Sequence, residues 1–138
     1  MIKMRPLGLI GLTLLVLVGL GSHAASQGQK SPYDKILGVW SLEVNAGDTF
    51  YYLTQEVAVD QEKLTGKLSE QNGMFKDTPL QGAMFDGQVL KYSVKIPTPP
   101  DGAERLAKFE MRLVDNKLDG TITLEDLNMT VPVTGAKK

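Results

Sequence analysis

The run Leu90-Lys91-Tyr92-Ser93-Val94-Lys95-Ile96 places an apolar side chain at every second position and a polar or charged one between. Successive side chains of a strand point to opposite faces, so this spacing predicts a strand with one dry face and one wet face. The same period recurs on both sides. Upstream, Trp40, Leu42 and Val44 alternate with Ser41 and Glu43. Tyr51, Leu53, Val57 and Val59 then share one phase, with Gln55 among them. Leu64 and Leu68 oppose Lys63, Thr65, Lys67 and Ser69. Downstream, Phe109, Met111 and Leu113 alternate with Lys108, Glu110 and Arg112. Leu118, Ile122 and Leu124 alternate with Lys117, Asp119, Thr121 and Thr123, and Met129, Val131 and Val133 close the series.

Turn residues separate these runs. Asn45-Ala46-Gly47-Asp48, Asn72-Gly73, Asp86-Gly87 and Asp115-Asn116 tolerate the positive φ that tight hairpins demand. Pro97-Thr98-Pro99-Pro100-Asp101-Gly102 reads instead as a stiff loop, the kind of connection in which function often resides. Strands joined by hairpins form an antiparallel meander. Seven to eight one-sided strands hide their dry faces by closing into a small barrel, which also removes exposed edges. A two-sheet β-sandwich is the competing arrangement. Lys63–Ser69 and Lys117–Thr123 share the pattern K-L-x-G-x-[LI]-[ST], with Gly66 and Gly120 on the inward phase. A missing side chain there lets a strand bend as a barrel corner requires, which favours closure.

The start of the chain reads as an address. Lys3 and Arg5 precede an apolar run from Leu7 to Gly21, and Ser22-His23-Ala24 ends it on small residues. This is the pattern of a cleavable secretory signal peptide over residues 1–24; the run is short for a spanning helix, which needs about 20 apolar residues. No Cys is present to take a lipid at the cleavage site. The expectation is an exported protein, periplasmic or secreted, with no membrane insertion after cleavage. Residues 25–34 read as a flexible lead-in and 35–138 as a single domain. Ser31 to Leu37 is compatible with one helical turn.

Cleavage would also change the chemistry. Lys3 and Arg5 are two of the 15 basic residues, while all 16 acidic residues lie beyond the leader, so the remainder is acidic by three charges. That balance, without a basic cluster, argues against nucleic acid or an anionic membrane as partner. The leader carries the only His of a chain that has no Cys. What remains lacks the residues for Ser-His-Asp or Cys-His nucleophiles, for thiolate or imidazole metal sites, and for disulfides. No cofactor and no catalysis are expected.

Few residues suggest a site. Asp115, Asp119 and Asp126 fall at positions one, five and twelve of a calcium-loop pattern with Gly120 at six and Ile122 at eight. Lys117 occupies a ligand position, however, and Asp126 stands where a bidentate Glu belongs. The likeness of this segment to the Lys63–Ser69 strand favours a plain hairpin over calcium binding. Glu43 and Glu110 fall on wet phases. Glu70 falls on a dry phase at a strand end, where a rim position is the ordinary outcome. Gln55, an amide on an apolar face, must be hydrogen-bonded within the core or face a ligand. Asn128-Met129-Thr130 fits a glycosylation acceptor but sits in an expected strand.

Gly38-Val39-Trp40, at the entry to the first strand, resembles the G-x-W signature of the calycin superfamily, which includes lipocalins, fatty-acid-binding proteins and avidins. The resemblance implies a meander barrel holding a small, largely apolar ligand, with Trp40 plugging the closed end. The second lipocalin signature, T-D-x-x-Y, is absent. No Arg lies near the C-terminus to stack on Trp40, so Lys137 or Lys138 would have to do so. The expected lining is Trp40, Tyr51, Leu53, Gln55, Tyr92, Phe109 and Met111. The second expectation is an inhibitor or envelope-assembly protein that meets a protein partner through the Pro97–Gly102 loop and the Asn72–Asp77 region.

Overall fold

A computed structural model describes residues 31–138. The predicted leader, residues 1–24, and the first six residues of the lead-in, 25–30, lie outside the described residues. Nine strands follow one another among the described residues: β1 (Gly38–Asn45), β2 (Phe50–Asp60), β3 (Lys63–Glu70), β4 (Thr78–Pro79), β5 (Gln81–Phe85), β6 (Val89–Thr98), β7 (Ala103–Val114), β8 (Lys117–Leu124) and β9 (Met129–Lys137). They form one antiparallel sheet in the order β4-β3-β2-β1-β9-β8-β7-β6-β5. Every neighbour is a chain neighbour except β1 and β9, which pair from Trp40↔Lys137 to Val44↔Val133 and bring the two ends of the meander together. The described domain is therefore all-β and a nearly closed barrel. The single sheet excludes the sandwich.

The sheet order runs out at β4 and β5, which are consecutive in the chain. Thr78 and Pro79 pair with β3, the Leu80 N–H donates to the Gly66 carbonyl at 3.0 Å, and Gln81 to Phe85 pair with β6. One extended segment thus lies between β3 and β6 and bonds to each in turn. Its division at Leu80 raises the expected seven to eight strands to nine. Pro79 has no N–H to give a ladder, and the β5–β6 register shifts between Gln81 and Met84.

Phase decides burial. Trp40, Leu42 and Val44 of β1, Leu90, Tyr92, Val94 and Ile96 of β6, and Ala107, Phe109 and Met111 of β7 are buried, while the residues between them face outward. Gly66 and Gly120 do more than leave space in the lumen. A Cβ on Gly66 would stand 2.1 Å from the Glu56 carbonyl oxygen, and one on Gly120 would stand 1.9 Å from that of Glu110. The neighbouring backbone occupies the side-chain position, so the strands coil tightly there.

The turns depart from expectation in three places. Pro97 and Thr98 belong to β6 and pair with Glu104 and Ala103, so the expected 97–102 loop shortens to residues 99–102. Asn72-Gly73 is not a two-residue hairpin; a longer loop, 71–77, joins β3 to β4. Conversely, Gln61 and Glu62 make the tight turn between β2 and β3, with φ of 51° and 67°, although neither residue favours that region. Asp115 and Asn116 turn the chain as expected.

Before β1, the chain makes one turn in which the Ile36 N–H donates to the Tyr33 carbonyl at 3.0 Å. Ile36 is buried and Tyr33 packs on the core, so the last residues of the expected lead-in belong to the domain. Trp40 Nε1 donates to the Ile36 carbonyl at 2.9 Å, and Lys137 Nζ stands 5.4 Å from the centroid of the Trp40 ring. The indole is sealed beneath that turn and a cation, at the end of the barrel opposite the loops 46–49, 71–77, 99–102 and 125–128.

Candidate functional site

These four loops define the mouth. A 3-10 turn, Glu125–Leu127, fills the connection from β8 to β9, and Asp101 fixes the β6–β7 loop. Both oxygens of Asp101 accept from the Arg105 guanidinium, at 2.8 and 2.9 Å, and one also accepts the Ala103 N–H at 3.1 Å. This pairing holds the Asp101 carboxyl well below the usual carboxylate range. Arg105 Nη1 donates further to Thr98 Oγ1 at 2.9 Å.

Beneath the mouth lies a cavity of about 360 Å³. Its origin is visible in the sizes of the inward residues. Toward the Trp40 end the lumen is filled by Trp40, Leu42, Leu90, Met111 and Leu118, all essentially inaccessible to solvent. Toward the mouth β1, β6, β7 and β9 contribute Val44, Thr98, Ala107 and Val131, side chains smaller than those that fill the Trp40 half. Tyr51, Phe75 and Phe109 supply aromatic walls.

The expected lining divides accordingly. Tyr51, Leu53 and Phe109 line the cavity. Trp40 and Met111 belong to the packed half, Met111 lying opposite Gly120 in the β7–β8 ladder. Gln55 and Tyr92 lie next to the cavity wall without forming it. The Tyr92 ring stacks on Phe109, with centroids 4.7 Å apart, and its hydroxyl donates to Gln55 Oε1 at 2.5 Å. Burial holds the Tyr92 phenol well above its ordinary pKa, which keeps it a donor. Gln55 Nε2 is buried with no hydrogen-bond partner.

Glu70 is the residue that phase reading named but left at the rim. Only 6% of it is exposed. Its Oε1 accepts the N–H groups of Asn72, at 2.9 Å, and Met74, at 3.0 Å, so the side chain folds back to organise the 71–77 loop and lines the cavity. Its position on the dry phase carried that signal.

The calcium-like residues do not converge. Asp115 lies in the turn before β8, Asp119 within that strand, and Asp126 in the 3-10 turn beyond its far end. Eight strand residues separate the outer two, a span of roughly 25 Å. Among the described residues no group of three or more His, Cys, Asp or Glu side chains is arranged to hold a metal. No protein-family model matches the chain, and neither do any curated protein or solved structure.

Proposed function

We propose that this chain is an exported, non-catalytic, calycin-like binding protein whose barrel carries a small, largely apolar molecule. The observation that supports the reading is the cavity of about 360 Å³, walled by Tyr51, Leu53, Phe75, Phe109 and small aliphatic residues and opening between four loops. Ligand sites start at about 300 Å³ and are mostly apolar with a few polar groups, and this cavity fits both descriptions. The Trp40 end, closed by an indole, a turn and Lys137, is consistent with the resemblance that Gly38-Val39-Trp40 raised.

The test is calorimetric titration with n-octanol. The parent protein should bind it saturably. Val131→Trp, which adds bulk from a half-buried wall position, should abolish that heat while leaving the far-ultraviolet circular dichroism of the sheet unchanged. An absence of saturable octanol binding to the parent would overturn the reading.

A second reading keeps weight on the mouth itself. Met74 and Met129 are 43% and 45% exposed and line the same opening as the Pro97–Pro100 segment. The two loops expected to meet a protein partner therefore border one opening, and a partner docked there would cover the cavity.

A further inference from the structure

The cavity wall is apolar, but its charge is one-sided. Glu70 and Asp48 are its ionisable carboxyl groups, and no Lys or Arg lines it among the described residues. Asp48 is exposed at the mouth. Glu70, in contrast, is 6% exposed and held by two backbone N–H donors, both on Oε1. Three aromatic rings, Tyr51, Phe75 and Phe109, share the wall with it. Aromatic faces attract cations, and a carboxylate in a largely dehydrated wall attracts them more strongly than one in water.

Arg105 is the cation to weigh against this. It lies on the inward phase of β7 near the rim, two positions before Ala107. Its guanidinium is already engaged by both oxygens of Asp101 and by Thr98 Oγ1. An apolar acid entering the cavity would therefore meet no cation among the described wall residues and would face Glu70 as a second carboxyl group.

We propose that the cavity selects an apolar molecule bearing a primary ammonium group, with its chain among Tyr51, Phe75 and Phe109 and its N–H donors on Glu70. This inference rests on the ligand-carrier reading above, and the two fail differently. Calorimetry at neutral pH compares n-octylammonium, n-octanol and octanoate on the parent protein. Octylammonium should bind about tenfold or more tightly than octanol, as a charge-assisted hydrogen bond requires, and octanoate should bind weakest. If none of the three binds, the carrier reading itself falls. If octanol binds but octylammonium gains nothing over it, or if octanoate binds tightest, the ammonium inference alone is overturned.

Glu70→Gln locates the effect. The Gln carbonyl can still accept the Asn72 and Met74 N–H groups, and the ratio of octylammonium to octanol affinity, both read on the variant, should fall to about one as the ammonium advantage disappears. Asp48→Asn should leave that advantage in place, and loss of the advantage in Asp48→Asn but not in Glu70→Gln would overturn the assignment. Should Glu70→Gln lose octanol binding as well, the parent decides. Octyltrimethylammonium keeps the charge but has no N–H to donate, and should bind about tenfold more weakly than octylammonium. Equal affinity for the two would overturn the proposal.

Discussion

Gln55 and Tyr92 share one hydrogen bond inside an otherwise apolar core, and the amide keeps a second polar atom without a partner. A buried polar atom costs more when its partner is removed than the bond contributes when both are present. Tyr92→Phe should therefore destabilise the fold by about 1–3 kcal/mol, since it strands Gln55 Oε1 as well as Nε2. Adding Gln55→Leu to that variant should recover most of the loss. Urea unfolding of the two single variants and the double variant gives the coupling, and additive effects would contradict this account. The sequence showed both Gln55 and Glu70 as polar residues on dry phases. It did not show their partners. Gln55 meets a residue 37 positions away, and Glu70 meets backbone N–H groups of a loop whose shape only the fold defines.

Alternation made the strands legible as elements, because one dry face per strand is a local property of the sequence. The turns were less legible. Asn and Gly mark positive φ only where selection has used them, and the β2–β3 turn uses Gln61 and Glu62 instead, at φ of 51° and 67°. Left-handed backbone costs a residue with a Cβ roughly 1–2 kcal/mol relative to glycine. The pair Gln61→Asn and Glu62→Gly, which supplies the preferred type I′ residues, should raise stability by about 1 kcal/mol or more. A higher urea midpoint with an unchanged slope would bear this out, and an unchanged midpoint would contradict it. The 71–77 loop failed in the opposite direction. Asn72-Gly73 looked like a tight turn, but the Glu70 carboxylate captures the N–H groups of Asn72 and Met74 and holds a wider loop open.

For the molecule as a whole, closure was legible and its seam was not. One-sided strands must roll up, but which strands meet last depends on Pro79 and on the register shift in β5. At the seam, β4 pairs at two positions and β5 at three, whereas β6 and β7 pair along ten. Local opening should therefore begin there. In hydrogen exchange, the amides of residues 78–85 should exchange well before those of β1, β7, β8 and β9. Uniform protection around the barrel would contradict a weak seam. The depth of the cavity was also beyond the reach of periodicity, which treats Ala107 and Met111 as equivalent inward positions. Only their volumes, four residues apart on β7, separate a hollow half from a filled one.

The pairing of Trp40 with Lys137 has a practical corollary. Lys138, whose N–H donates to the Val39 carbonyl, emerges on the side away from the four loops. A surface that holds the chain by a tag placed after Lys138 would present the opening to solution, oriented and unobstructed. Immobilised by that end, the domain would keep all four loops clear of the support, and a reporter fused there would stand at the Trp40 end of the barrel.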